Sequence, residues 1–189
     1  MTKWRKWAIL LRAMTGPTSL KAQLEQSRFN RALEITEGMA ARRVQLTTME
    51  LARLNNMLMG KPTEFEPWRQ EPISLRLPSG NTAHFAVLGD PKLNTRDKLH
   101  RATALAEGGH VIDAAVDLYA GLVMLHAFQD ANRRTAVLAA HYFLSRYGVP
   151  VSGVALHDLG IGDLREAGQI EKLKDGVQQI AKFVNRRGD

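Results

Sequence analysis

Cysteine is absent from this sequence of 189 residues. The chain therefore has no disulfide scaffold, no thiolate metal site and no cysteine nucleophile, and it fits a reducing compartment. Long apolar runs are missing too: the longest, Tyr119 to Leu125, is far shorter than the roughly 20 residues that span a bilayer. The amino terminus has a five-residue apolar run before Arg12, too short for a signal peptide. We therefore expect a cytoplasmic protein.

Acidic residues are scarce at the start of the chain. Lys and Arg total 26 against 19 Asp and Glu, and residues 1–60 hold ten basic and four acidic side chains, which is most of the net charge of +7. A basic arm favours nucleic acid, an anionic lipid surface or an acidic protein as a partner. A solvated helical surface is the simpler interpretation. The remaining composition, 44% hydrophobic and 24% charged, is typical of a globular domain.

The pattern of apolar residues predicts a mainly helical chain. Thr18-Ser19 is a plausible N-cap, Gly60 a stop signal, and Asn94 a possible cap later in the chain. The predicted helices cover residues 1–15, 20–43, 47–59, 95–107, 111–125, 132–147, 156–159 and 169–184.

One β-hairpin interrupts the helical pattern. Ile73–Leu77 and Thr82–Leu88 flank the turn-forming residues 78–81, and apolar and polar residues alternate in the first strand. The preceding residues 61–72 contain three prolines and are predicted to be a linker or loop. We therefore divide the chain into a helical extension over 1–60, a linker over 61–72 and a domain over 73–189, with its hairpin at 73–88.

The residues with chemical potential lie together between two predicted helices. A helix start offers unpaired backbone N–H groups and a positive dipole end, so residues 131–134 form a credible anion site. Asp130 is placed to hold Mg²⁺ against the same phosphates. His126 titrates near neutrality and can accept a proton from an attacking hydroxyl. Singly, each residue also has an ordinary structural interpretation, as a capping, packing or solvated side chain.

This segment resembles the signature of the Fic/Doc (Fido) family, His-x-Phe-x-[Asp/Glu]-[Gly/Ala]-Asn-[Gly/Lys]-Arg. In this chain it reads His126-Ala-Phe-Gln-Asp-Ala-Asn-Arg-Arg-Thr-Ala. Ala before Asn132, a basic residue after it and the following Arg-Thr-Ala are most similar to the Doc branch. The resemblance extends over roughly residues 73–184.

The resemblance implies an all-α, mainly helical Fido fold: a helical bundle with one short β-hairpin flap. It implies a transferase that moves a phosphoryl or adenylyl group from ATP or another nucleoside triphosphate to a Ser, Thr or Tyr hydroxyl of a target protein. His126 would be the general base and Asp130 the Mg²⁺ ligand. The phosphates would bind Ala131, Asn132, Arg133 and Arg134. The flap would dock the target chain as an added strand through Ile73, Ser74, Leu75 and Arg76.

Two positions depart from the family pattern. Adenylyl-transferring members usually carry Gly at the position of Arg133 and a second Arg at that of Val137. Doc-type members carry Lys at the first of these and lack the second Arg, and they transfer the γ-phosphoryl group. The local chemistry therefore favours phosphoryl transfer, with adenylyl transfer as the alternative. Arg in place of Lys is not neutral, because a planar fork binds phosphate differently from a point charge.

The extension contains a weaker resemblance to the autoinhibitory helix of many Fic proteins, [Ser/Thr]-x-x-x-Glu-[Gly/Asn]. Glu37-Gly38 matches its end, but Leu33 occupies the Ser/Thr position. Glu37 is thus a possible inhibitory residue. It could pair with Arg134, be a relic of the pattern or lie on the surface. A Doc-like toxin would instead imply a separate antitoxin.

Two further classes of function remain open. The chain could be a catalytically silent Fido module whose basic arm, with Trp4 and Trp7, docks on nucleic acid or membrane. It could also be a metal phosphohydrolase built on His157-Asp158 with the scattered His84, His100, His110 and His141, although no such set has convincing spacing.

Overall fold

A computed structural model describes residues 19–76, 80–159 and 163–188. These residues form seven helices and one two-stranded sheet, which confirms the predicted mainly helical fold with a hairpin. No helix in this part of the chain combines the length and apolar character needed to cross a membrane. The predicted helix over 1–15, with Trp4 and Trp7, lies outside the described residues. The elements are α1 (Leu20–Ala41), α2 (Thr48–Met59), β1 (Ile73–Arg76), β2 (Thr82–Phe85), α3 (Pro91–Glu107), α4 (Val111–Leu125), α5 (Asn132–Arg146), α6 (Gly153–Leu159) and α7 (Gln169–Gly188).

Helices α4 and α5 form the centre of the molecule. Helix α5 is buried continuously from Thr135 to Leu144, because α1, α2, α4 and α6 all pack against it. Helix α4 is buried from Ala114 to Val123 except at Asp117, and α3 and α7 pack against its remaining sides. A helix covered on several sides must be apolar around most of its circumference. The short loop between α4 and α5 is consequently anchored in the core at both ends.

The helix ends follow local capping chemistry. Hydroxyl groups of Ser19 and Thr47 accept hydrogen bonds from first-turn amides of α1 and α2, which satisfies donors that have no partner inside a helix. Helix α2 ends at Gly60 with a φ of 66°, a conformation that favours glycine. A Cβ at this position would meet only the guanidinium of Arg28, the end of a flexible side chain. Glycine is thus favoured here by its backbone conformation.

The start of α3 differs from the prediction. The helix begins at Pro91 and not at residue 95, because the carboxylate of Asp90 accepts the amide of Lys92 at 2.7 Å and acts as the N-cap. Proline fits the first helical position since it has no N–H to leave unpaired. Asn94, the predicted cap, instead donates its amide to the carbonyl of Leu88. The other predicted helix bounds differ from those observed by a few residues.

The hairpin is shorter than predicted. Strands β1 and β2 are antiparallel, with Ile73 opposite Phe85 and Arg76 opposite Thr82. Strand β2 ends at Phe85 and not at residue 88, since the carbonyls of Phe85 and Ala86 accept hydrogen bonds from the side chain of Arg69. The predicted turn lies partly on residues 77–79, outside the described part of the chain.

The predicted linker over 61–72 is packed into the fold. It contains neither a helix nor a strand of the hairpin, as expected for a loop, but Trp68 and Arg69 within it are buried. The Trp68 ring stacks on Phe128 with centroids 4.7 Å apart, and their backbones form an isolated antiparallel bridge. Large aromatic side chains bury much apolar surface, and a stacked pair adds to the stability of the fold. The segment therefore lies along the loop between α4 and α5. The division into an extension, a linker and a domain stays a prediction.

Candidate active site

His126 ends helix α4 in an unusual backbone conformation. Its φ of 49° places it in the left-handed region, which is uncommon for a residue with a side chain. The imidazole lies against Phe85 of β2, with ring centroids 4.5 Å apart. The left-handed turn directs the chain from α4 into the loop, and the imidazole lines the cavity beside that loop.

The hydrogen bond of His126 indicates which of its two ring nitrogens carries the lone pair. Nδ1 lies 3.1 Å from the carbonyl oxygen of Val123, and a carbonyl only accepts, so Nδ1 carries the hydrogen in the neutral ring. The lone pair is then on Nε2. Burial lowers the pKa of His126 below its usual 6.5, and the charges of Arg69 and Arg133 act in the same direction, whereas the Val123 bond and Asp130 oppose them. The ring is thereby kept neutral and able to accept a proton near pH 7.

Asn132 closes the loop on itself. Its Oδ1 accepts the amide of Phe128 at 2.8 Å, and its Nδ2 donates to the carbonyl of the same residue at 2.8 Å. Both polar ends of the side chain are thus used within the loop, and the residue is buried. Its predicted role as a phosphate ligand stays a prediction, while the bonds observed assign its side chain to loop geometry.

A second amide fixes the loop from helix α2. Asn55 Nδ2 donates to the carbonyl of Asp130 at 2.8 Å and to Oγ1 of Thr135 at 3.0 Å. Thr135 Oγ1 in turn donates to the carbonyl of Ala131 at 3.0 Å. Hydrogen bonds of this kind restrain the backbone of the loop, although Oδ1 of Asn55 itself is buried without a hydrogen-bond partner among the described residues. The part of the chain predicted as an extension therefore helps to build the site.

Helix α5 starts at the cavity with no side-chain cap. Its N-cap residue is Ala131, which has a φ of 58° and a side chain that can accept no hydrogen bond. The first intrahelical amide bond of α5 is that of Thr135 to the carbonyl of Ala131, so the amides of residues 132–134 precede it. First-turn amides have no partner inside their own helix, and at the positive end of its dipole they favour a bound anion.

These groups surround one cavity of about 510 Å³, a size typical of small-molecule sites. The charged side chains lining it, among the described residues, include four arginines and two aspartates. This excess of positive charge suits a polyanion such as a triphosphate. The predicted site residues that line the cavity are His126, Asp130, Ala131, Asn132, Arg133, Arg134, Leu75 and Arg76.

The two basic side chains of the motif point in different directions. Arg133 Nη1 approaches the hydroxyl of the buried Tyr119 on α4 at 3.5 Å. Burial raises the pKa of Tyr119, and Arg133 partly opposes that shift. Arg134 lies 3.6 Å from the carboxylate of Glu25 on α1. One guanidinium therefore lies along α4, and the other faces the amino-terminal helix.

The carboxylate of Glu37 lies beside His141 and not beside Arg134. Its carboxylate is 3.3 Å from Nε2 of His141, a buried residue of α5 whose Nδ1 accepts the amide of Gly153. The predicted pairing with Arg134 is corrected by this geometry, because the carboxylate beside Arg134 is that of Glu25, twelve residues earlier in the same helix. Twelve residues are more than three helical turns, so one carboxylate cannot replace the other.

The remaining flap residues stand outside the cavity wall. Ile73 pairs with Phe85, and the hydroxyl of Ser74 lies 2.8 Å from Nδ1 of His84 on the opposite strand. These two residues belong to the strand predicted to dock a target chain. That docking role stays a prediction.

Several residues of the site carry no signal in the sequence. Arg69 is in the predicted linker, Tyr119 is one apolar-face residue of α4 among many, and Asp163-Leu164-Arg165 follow a short helix without a motif. Arg165 binds Asp163 at 2.7 Å and lies 5.4 Å from the ring of Phe85. A capping or periodicity pattern could have found none of them, because each joins the site through tertiary packing.

Asp130 is the residue predicted to hold a metal ion. Its Oδ1 accepts the amide of Ala131, and the exposed carboxylate lines the cavity. A carboxylate oxygen beside a phosphate site matches the way proteins hold Mg²⁺. No group of three or more His, Asp or Glu side chains within residues 19–76, 80–159 and 163–188 is arranged to hold a metal ion. His157 and Asp158, from the phosphohydrolase hypothesis, contact each other at 3.3 Å.

Comparison with known proteins identifies the family. The model of the Fic/DOC family matches residues 45–144, which include α2, the hairpin, α3, α4 and most of α5. Since this is more than half of the 189 residues, the chain belongs to the Fic/DOC family. The match is to the family as a whole, and the Doc branch stays a prediction.

Solved structures share the fold. A Fic domain containing signaling protein from Bacteroides thetaiotaomicron is 20% identical with a TM-score of 0.63, and the alignment covers 91% of this chain and 73% of that one. Fic-1 from C. elegans is 16% identical with a TM-score of 0.61, covering 100% of this chain and 59% of that one. A comparison with curated proteins found no match. The helical bundle with its hairpin is therefore the all-α Fido fold.

Proposed function

We propose that the chain is a nucleotide-dependent transferase that moves a phosphoryl or adenylyl group from ATP, or another nucleoside triphosphate, to a Ser, Thr or Tyr hydroxyl of a target protein. One observation carries the proposal: the imidazole of His126 and the uncapped start of α5 line the same cavity. A base and an anion site in one cavity supply the two elements that transfer to a hydroxyl requires.

The proton and the phosphorus are handled by different groups. The target hydroxyl gives its proton to Nε2 of His126 while its oxygen bonds to phosphorus. In phosphoryl transfer the bond to the β,γ-bridging oxygen breaks and ADP leaves; in adenylyl transfer the bond to the α,β-bridging oxygen breaks and pyrophosphate leaves. The lone pair on Nε2 and the lowered pKa of His126 suit the ring to act as the base.

The phosphates are bound by the start of α5. Backbone amides of residues 132–134 and the guanidinium of Arg134 donate hydrogen bonds to phosphate oxygens, and Arg133 adds charge. Asp130 would hold Mg²⁺, which supplies charge neutralisation of the phosphates. The cavity's excess of arginine supports this assignment.

Two features favour phosphoryl over adenylyl transfer. Val137, at the position where adenylyl-transferring relatives carry a second arginine, is buried, and its Cγ1 lies 3.1 Å from the Cβ position of Gly153. The core therefore fills this turn of α5 with apolar atoms. Arg133 occupies the position at which a glycine would leave room for a phosphate. Adenylyl transfer remains the alternative that the labelling experiment below distinguishes.

The amino-terminal helix supplies a carboxylate to the nucleotide site. Glu25 pairs with Arg134, a proposed phosphate ligand, so the phosphates and this carboxylate compete for one guanidinium. Self-inhibition through α1 is therefore proposed to act through Glu25 and not Glu37. A separate antitoxin is the corresponding device in a Doc-like toxin.

Double labelling tests the proposal. The purified chain is incubated with Mg²⁺, a host lysate and ATP labelled at the α or the γ phosphate, beside His126→Ala and the control His100→Ala, which changes an exposed histidine of α3. Protein-bound label from the γ position is expected, and His126→Ala should reduce it by about 10²–10⁴-fold while His100→Ala leaves it unchanged. Label from the α position identifies adenylyl transfer. Absence of His126-dependent label with any of the four nucleoside triphosphates would refute the proposal and favour a binding module.

A further inference from the structure

Arg69 is a buried arginine outside the family motif. It follows Trp68 in the segment that runs along the loop between α4 and α5, and only 3% of its surface is exposed. Its backbone amide donates to the carbonyl of Ala127 at 2.8 Å, and the amide of Gln129 donates to the carbonyl of Pro67 at 2.9 Å. A long charged side chain is seldom this buried unless its donors have partners.

The guanidinium of Arg69 makes four hydrogen bonds to backbone carbonyl oxygens. Nε donates to His126 at 2.7 Å, and Nη2 donates to Ala86 at 3.1 Å. Nη1 donates to Glu71 at 2.6 Å and to Phe85 at 2.8 Å. The rigid fork of five donors in arginine makes such simultaneous contacts possible, and a lysine cannot reproduce them.

These acceptors belong to two functional parts of the molecule. The carbonyl of His126 is at the negative end of the α4 dipole, where a cation is favourable, and this residue has the strained left-handed backbone. The carbonyls of Phe85 and Ala86 lie at the end of β2, and that of Glu71 precedes β1. One guanidinium therefore joins the base of the flap to the residue that carries the imidazole.

We propose that Arg69 is a positioning residue that fixes the flap relative to His126, so that an extended segment of the target protein added to the flap presents its hydroxyl to Nε2. This inference rests on the proposed function for its consequence, and on the four hydrogen bonds for its geometry. Backbone pairing alone registers the target on the flap. Transfer also requires the flap to hold a set distance from the base, because misplacement of reacting groups by 1 Å can cost about 100-fold in rate.

The charge of Arg69 gives the positioning role a second readout. The groups facing His126 are Arg133 and Asp130 from the loop and α5, with Arg69 from the buried segment. The wall of the cavity adds Arg76, Arg134, His157, Asp163 and Arg165. Arg69 and Arg133 lower the pKa of His126, after burial, which has the largest effect. Removal of the charge at position 69 should accordingly raise that pKa.

Two substitutions separate the hydrogen bonds from the charge. Arg69→Lys keeps the charge but loses the set of guanidinium hydrogen bonds. Hydrogen exchange of the 82–86 amides should therefore accelerate, while the pKa of His126 stays at the parent's value. Arg69→Gln loses both, so exchange should accelerate and the midpoint, measured by NMR with His126→Ala for assignment, should move to higher pH. In the transfer assay, both variants should lose about 10- to 100-fold in kcat with the KM for ATP near the parent's.

Arg28→Gln is the matched control. Arg28 also donates to a backbone carbonyl, that of Met59 at 3.4 Å, but it joins α1 to α2 away from the cavity. This variant should change neither flap exchange nor the His126 titration. The positioning role is overturned when Arg69→Lys and Arg69→Gln give the same flap exchange as Arg28→Gln, or when Arg69→Gln fails to fold and Arg69→Lys exchanges like the parent. An inactive parent chain would refute the proposed function alone, because exchange and titration need no turnover.

Discussion

Replacing Asn132 by alanine tests whether this side chain builds the loop or serves only as a phosphate ligand. The amide accepts from the N–H of Phe128 and donates to its C=O, both at 2.8 Å, and Asn132 is 5% exposed. Alanine removes both partners and leaves two buried backbone groups without them. A ligand role alone predicts no loss of stability when nucleotide is absent.

The magnitude follows from the two unsatisfied groups. Each buried polar group left without a partner costs about 1–3 kcal/mol, so the free energy of unfolding should fall by about 2–6 kcal/mol. For a domain of this size, 1 kcal/mol corresponds to about 2–4 °C. A loss of about 4 kcal/mol, in the middle of this range, would lower the melting temperature by about 8–16 °C.

Thermal unfolding without nucleotide or Mg²⁺ measures the effect. Gln129→Ala is the control, because Gln129 lies in the same loop, is exposed and makes a single side-chain bond to the carbonyl of Glu66 at 3.3 Å. That change should remain within about 0.5 kcal/mol. Equal melting temperatures for the two variants would refute the role of Asn132 in the loop.

Three other outcomes follow from the contacts described. Glu25→Ala should raise the affinity for ATP, measured by calorimetry, by up to about fivefold, since a partly exposed ion pair contributes about 0.2–1 kcal/mol; an affinity no higher than that of Glu37→Ala would contradict this. Gly153→Ala should destabilise the fold by about 1–3 kcal/mol, because the added Cβ would lie 2.6 Å from a backbone carbonyl oxygen of α5. In the control Gly38→Ala the added Cβ meets only the end of a flexible arginine, so its melting temperature should not fall below the parent's. As the pH is lowered, the kcat/KM of transfer should decrease because His126 becomes protonated. Since the pKa of His126 is lowered, the midpoint of this decrease should lie below pH 6.5. A midpoint above that value would contradict the assignment of the base.

The local part of the site could be predicted from the sequence. His126, Asp130 and Arg134 lie within nine residues across a helix end, a short loop and a helix start, so their convergence on one cavity follows from local geometry. The hairpin was equally readable from strand alternation and turn residues. The start of α3 at Asp90-Pro91 also has a local signal, because proline is favoured at the first helical position, whereas the predicted cap Asn94 lies within the helix.

The remaining part depended on tertiary packing. Glu37 fits an inhibitory pattern by sequence, yet the packing of α1 on α5 brings Glu25 to Arg134 and Glu37 to His141. Arg69 is a single arginine in a proline-rich segment, and no periodicity or motif indicates its burial. Residues separated by tens of positions meet only once the helices are packed.

The hydrogen bonds of the Arg69 guanidinium do not depend on which side chains the joined residues carry, because every acceptor is a main-chain carbonyl oxygen. Under the proposed function, the exposed side chains of the hairpin could therefore vary, and with them the preference for one target sequence or another, while the bonds from Arg69 to the main chain keep the spacing to the imidazole. Such an architecture separates what is recognised from how it is modified. Related chains could acquire new target proteins through substitutions on the hairpin without changing the residues that line the cavity.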